Sequence, residues 1–192
     1  EITTRLVGSE MCIRDRYHTQ EKRPMRLTAP IVCVRKDAWL GRGYYFWDDE
    51  EDALAWGYSS KKRTGQFEIY EASIDSEKFL NTVFNEEHYI FFKRQVEKAG
   101  LEIAKKTGMK PTVEDICDFI NEKAQWVKEI DGILFQDLPA GHNIPICKFP
   151  YRKRIQAAVY KIECVKHFRF KDEYKTFKGI HHDRFKKTRK NA

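Results

Sequence analysis

The residues Leu40-Gly41-Arg42-Gly43-Tyr44-Tyr45-Phe46-Trp47 combine two features that suit a site for a flat ring. Glycines one residue apart allow a sharp turn and a close backbone approach, because neither carries a Cβ. The four aromatic residues that follow offer faces for offset stacking on a planar group. The same run serves equally well as a buried strand after a turn. A second chemistry is positive charge, carried by the Lys61-Lys62-Arg63 loop and by the C-terminal end. From Lys166 to Ala192 there are ten Lys or Arg against three Asp or Glu, so this end holds the whole formal net charge of +7. Phe168, Phe170, Tyr174, Phe177 and Phe185 are interleaved there. That composition fits either a nucleic-acid contact surface or a solubilising end whose aromatic rings pack back on the domain.

The elements that position these residues follow from patterning. Asp48 to Glu51 is an acidic run suited to a helix N-terminus, and Ala53, Trp56 and Gly57 fit a short helix ended by glycine. Ile31-Val32-Cys33-Val34 reads as a short strand or its remnant, and Gln66 to Ile74 as a half-buried strand. From Phe84 to Lys106 apolar residues recur every three or four positions, with Gly108 and Pro111 as stop signals. A second helix starts at Thr112, which with Asp115 forms a capping box, and carries Ile116, Phe119, Ile120 and Val127 as its stripe. Both helices read as scaffold. Gly132 to Phe135 is a buried-strand signature, Ile144 to Phe149 is short and extended, and Arg154 to Tyr160 is a strand leading to Cys164-Val165-Lys166. Strands, then helices, then strands imply an α+β fold with a mostly antiparallel sheet.

At 192 residues, with a hydrophobic fraction of 41% and an aromatic fraction of 14%, the chain reads as one folded domain with a tail. No apolar run approaches the roughly 18 residues needed to cross a bilayer. No charged-then-apolar signal opens the sequence. Five scattered cysteines without a C-x-x-C pair argue against a metal site and for a reducing, cytoplasmic setting. Gly8 to Arg16 looks like translated sequencing-adapter read-through, so residues 1–16 are set aside as a doubtful leader.

Tyr17-His18, the Leu-Gly-Arg-Gly-Tyr-Tyr-Phe block, Ala53-x-x-Trp56, Gln156-Ala-Ala-Val-Tyr160 and Cys164-Val-Lys166 together resemble the ADP-ribosyltransferase superfamily of the diphtheria-toxin and poly(ADP-ribose) polymerase type. The resemblance runs from Tyr17 to Phe170 in three short blocks, nearest to small bacterial toxin or anti-phage members. It implies a split, mostly antiparallel β-sandwich over residues 17–170 with a two-helix insertion, followed by a basic aromatic tail over 171–192. It also implies an enzyme that cleaves the nicotinamide–ribose bond of NAD, with no metal. Such a reaction passes through an oxocarbenium-like state and needs orientation and electrostatic stabilisation more than a strong nucleophile.

In that reading His18 holds the ribose and Thr19 presents backbone groups to the amide. Tyr45, with Tyr44 or Trp56, stacks on nicotinamide, and Gly43 lets the strand pass close by. Trp56 serves equally as a helix-to-core anchor, and the alternative for His18 is an ordinary surface histidine. Gln156 stands where the family commonly has Glu; its amide can hydrogen-bond a ribose but cannot act as a base. Thr19-Gln20 stands where relatives have Gly-Ser or Gly-Thr. The acceptor is RNA, DNA or protein. Lys61, Lys62, Arg63, Arg184, Lys186 and Lys187 are the candidate nucleic-acid contacts, since phosphate contacts give sequence-independent affinity. An antitoxin partner is a further expectation. The alternative is an inactive transferase fold that binds nucleic acid through its basic tail.

Overall fold

A computed structural model of the chain describes residues 13–35, 38, 40–61, 63–137 and 154–176. Seven strands are β1 (Ile13–Glu21), β2 (Tyr44–Trp47), β3 (Gln66–Asp75), β4 (Phe79–Asn81), β5 (Gly132–Asp137), β6 (Arg154–Val159) and β7 (Val165–Lys175). Helix α1 (Glu50–Ser60) follows β2, while α2 (Glu86–Thr107), α3 (Val113–Lys123) and α4 (Trp126–Glu129) lie between β4 and β5. The protein is α+β, as its order of elements implies. All seven strands join one sheet in the order β4-β5-β6-β2-β1-β3-β7. Each pairing is antiparallel except β4 with β5. A parallel pair needs a long crossover, and the α2–α4 segment supplies it.

The expected split into two sheets is not what the described strands form: they join one sheet, which has a weak line inside it. β1 pairs with β3 along its whole length, from Ile13↔Asp75 to Glu21↔Phe67, yet meets β2 at the single register pair Tyr17↔Trp47. We call this line the seam. On one face, which we call inner, Phe46, Ala72, Ile74, Leu134, Ala157 and Val159 form a cluster against which Val165 and Phe168 pack. None of α1 to α4 contributes to it, so residues from strands of the two halves supply most of this cluster. The opposite, outer face is covered by helices. α1 packs on Trp47, Phe67 and Ile69, while Phe91, Phe92 and Trp126 cover Leu80, Ile133 and Ala158.

Several expectations change. β1 begins at Ile13, so residues 13–16 of the supposed leader are strand, and Arg16 is buried with its Nε 3.0 Å from Asp48 Oδ1 on β2's far end. Ile31–Val34 forms no strand; it contributes one isolated bridge, Cys33↔Gly43. Gln66–Ile74 is more than half-buried, since Phe67 to Tyr70 are all buried between two neighbouring strands. The second helix stops at Lys123, although its capping box is present, and Val127 belongs to the separate α4. The tail boundary at 171 falls inside β7, which the charge run concealed. Its rings pack on the domain: Phe168 stacks on Tyr70 at 4.9 Å, and Tyr174 on Phe67 at 5.4 Å. Phe170 lies under Arg26, 3.7 Å from ring centre to guanidinium. Ile144–Phe149, Phe177 and Phe185 lie outside the described residues.

Gly57 does not end its helix. It sits inside α1, where an added Cβ would stand 2.2 Å from the ring of the fully buried Phe67. Replacing a helix-interior glycine by alanine gains about 1 kcal/mol where there is room. Here the ring blocks it, and Gly57→Ala is expected to destabilise the fold by about 1–3 kcal/mol through overpacking. A lower urea midpoint with an unchanged slope is the expected readout.

Candidate functional site

β1, β2 and β6 carry the residues of the three motif blocks, and the sheet places them side by side. The register runs Gln156–Trp47–Tyr17 across β6, β2 and β1, with Tyr45 opposite Ala158. Directly paired residues in a sheet share a face and alternate along each strand. Gln156, Trp47 and Tyr17 therefore share the outer face with Tyr45 and Thr19, whereas His18 and Phe46 point to the inner one.

His18 is buried, and its Nδ1 lies 2.8 Å from the Tyr45 carbonyl oxygen across the seam. A carbonyl only accepts, so Nδ1 carries the hydrogen and donates. The ring stands 5.4 Å from Phe46 and 6.1 Å from Phe168. Burial lowers its pKa from 6.5 to about 4; the nearby Lys61 charge acts in the same direction, and the Tyr45 carbonyl and the Gln20 side chain oppose it. The imidazole is thus neutral at pH 7, with Nε2 as a bare acceptor. Nε2 is buried and finds no partner of ordinary hydrogen-bond geometry. Buried polar atoms are nearly always satisfied, so such an orphan calls for an explanation.

The structure brings His18 to the backbone of Tyr45 and not to its ring. The Tyr45 side chain leaves the other face of the sheet, where its hydroxyl donates to Gly41 O at 2.7 Å and accepts from Leu40 N at 3.2 Å. Burial raises its pKa. Tyr44 points the opposite way and packs on the inner cluster. The expected slot between imidazole and Tyr45 ring is therefore absent among the described residues, because adjacent strand positions alternate. Thr19 is buried and its hydroxyl donates to Ala53 O at 2.8 Å, tying β1 to α1. Trp56 packs 5.8 Å from Trp47, which suits the anchor reading. Gly41 takes a φ of +74°, the left-handed region that favours glycine. Gly43 serves close packing, since a Cβ there would lie 3.0 Å from Val159 O and 3.3 Å from the Tyr160 ring.

The sequence reading assigns no role to Arg154. Arg154 is buried, lies 5.1 Å over the Trp47 ring, and pairs with Asp137. Its place two residues before Gln156, on the same strand face, was the available signal. The basic candidates are less free than their run suggested. Arg63 is exposed and 3.6 Å from Glu21, while burial lowers the pKa of the half-buried Lys61. On β7, Arg169 pairs with Glu71, and Lys171 with Glu50 and Glu71. Lys62, Arg184, Lys186 and Lys187 lie outside the described residues. Among those described, no group of three His, Cys, Asp or Glu could hold a metal ion, and no helix is long and apolar enough to cross a membrane.

The chain matches no protein family, no curated protein and no solved structure.

The pKa of His18 carries a signed consequence. Between pH 6.5 and about 4 the unfolded chain binds a proton that the native state refuses, so its contribution is complete above 6.5 and is lost as pH falls. At full effect this amounts to about 3 kcal/mol. Wild type is expected to lose that much more stability than His18→Gln between pH 7 and 4, measured by urea unfolding.

Proposed function

We propose that the protein is a mono-ADP-ribosyltransferase that uses NAD as its substrate, with the β1–β2 seam as the place where the ribose next to nicotinamide is held. One observation carries this reading: the neutral His18, oriented by the Tyr45 carbonyl, has a buried Nε2 lone pair that meets no partner of ordinary hydrogen-bond geometry among the described residues, with the Gln20 side chain near the ring. A ribose hydroxyl is a donor of the kind that atom lacks. The motif order and the adjacency of β1, β2 and β6 support the same reading. Gln156, half-buried on β6, lies on the outer face with Tyr45, so a sugar held at His18 is out of its reach and an acceptor nucleophile would need its base from elsewhere.

The geometry changes two parts of the expectation. Tyr45 cannot stack on a ring beside His18, so its hydroxyl is assigned to fixing the Leu40-Gly41 turn. Access to Nε2 requires Phe46 and Phe168 to separate, which a seam joined at one register pair allows at least cost. The acceptor class, whether RNA, DNA or protein, follows from the basic surface only in part, because several of its cations are already paired. A bacterial toxin or anti-phage role, and an antitoxin, belong to the same proposal.

The turned-away Tyr45 ring and the amide at 156 favour a second reading, an inactive transferase fold that binds nucleic acid. Nicotinamide release from labelled NAD, in the presence of RNA, DNA and protein pools, separates the two. The enzyme reading expects release that falls about 100-fold or more in His18→Ala. It expects little change beyond stability in Gln156→Ala and Tyr45→Phe, whose side chains leave the other face of the sheet. No release above background, with salt-sensitive nucleic-acid binding that ignores NAD, would establish the second reading.

A further inference from the structure

Helices α2, α3 and α4 do not close fully on the sheet. Between Phe92 of α2, Ile116 and Cys117 of α3, Trp126 of α4 and Ile133 of β5 lies a cavity of about 190 Å³. The helices were expected to be plain scaffold. Yet α3 buries none of its residues and α2 buries only Ala99. Their apolar stripes face this space instead of interlocking with the core.

The chemistry of the wall is one-sided. No Lys, Arg, Asp or Glu lines it. Two of its polar groups are turned onto the loop before β2: the Tyr160 hydroxyl donates to Leu40 O at 3.1 Å, and the Cys117 thiol to Ala38 O at 3.7 Å. Burial raises both of their pKa values, so both stay neutral. The indole N–H of Trp126 is buried and has no acceptor. A charged ligand would be desolvated here without a counter-charge, which is costly. An apolar cavity of about 150 Å³ takes a benzene ring, so this one has room for a slightly larger molecule.

We propose that this cavity is a binding site for a small, uncharged, single-ring-sized apolar molecule, which packs against the Trp126 ring. The site lies on the outer face, away from the His18 imidazole, and stands or falls independently of NAD chemistry. Leu40 and Tyr160 belong to its wall, and the Tyr45 hydroxyl accepts from Leu40 N. An occupant would therefore rest against the turn that leads into β2.

The test uses p-cresol as probe and benzoate as its charged counterpart, on the full chain. With p-cresol, the Trp126 indole resonance is expected to shift in a ¹H–¹⁵N spectrum, with the indoles of Trp47 and Trp56 unmoved. Alkylation of Cys117 by N-ethylmaleimide, followed by site-resolved mass spectrometry, is expected to slow about tenfold at a probe concentration ten times its Kd, with Cys33 unaffected. Benzoate should do neither. Val96→Phe, which fills the cavity, should abolish both responses. Should that variant not fold, the wild-type measurements decide alone. A Trp126 resonance and a Cys117 rate both indifferent to p-cresol, or benzoate acting as strongly as p-cresol, would overturn the assignment.

Discussion

One hydrogen bond crosses the place where the sheet is weakest. Strands β1 and β2 share a single register pair, and His18 reaches over that line to the Tyr45 carbonyl. A buried histidine is acceptable only if it is neutral and its donor is satisfied. The carbonyl provides this, and in doing so fixes the tautomer. What it leaves over is a lone pair on Nε2 in an apolar setting lined by Phe46 and Phe168. The same residue that joins the two halves thus leaves an acceptor without a partner of ordinary geometry among the described residues, and the functional reading depends on that coincidence. The Arg16–Asp48 pair reinforces the line a few residues away, and the Asp48 amide donates to Ile155 O on β6.

Much of the scaffold was legible because it rests on local chemistry. The Thr112–Asp115 box and the acidic first turn of α1 are signals within a few residues, and each marks the start of its helix. The strand at 132 was likewise marked by the unbroken apolar run Gly132 to Phe135. Facing was harder to read. Tyr44 and Tyr45 look interchangeable in sequence, yet alternation sends one ring inward and the other among helices. Which is which depends on register with β6, a non-local fact. Gly57 was read as a stop because glycine often ends helices; only its contact with Phe67 shows that it permits close helix–strand packing instead.

Charge is only partly legible for a similar reason. A run of lysines and arginines reads as a surface for an anionic partner, but β7 lies beside β3 and meets Glu71 there, while α1 offers Glu50. Cross-strand pairing is invisible to composition. The described part of the basic end is therefore a structural edge strand whose cations are largely neutralised within the domain, and whose aromatic rings complete its packing. The helical crossover shows the converse. Its amphipathic stripes suggested an ordinary core, whereas they enclose an apolar space that the sheet side chains do not fill.

The most direct test of the account is the ¹⁵N signature of the His18 imidazole at pH 7, with and without NAD. The account predicts a neutral ring protonated on Nδ1, titrating near pH 4, whose bare Nε2 resonance moves when NAD is added while Nδ1 keeps its hydrogen bond. A charged or Nε2-protonated ring at pH 7, or an Nε2 resonance that ignores saturating NAD, would contradict it.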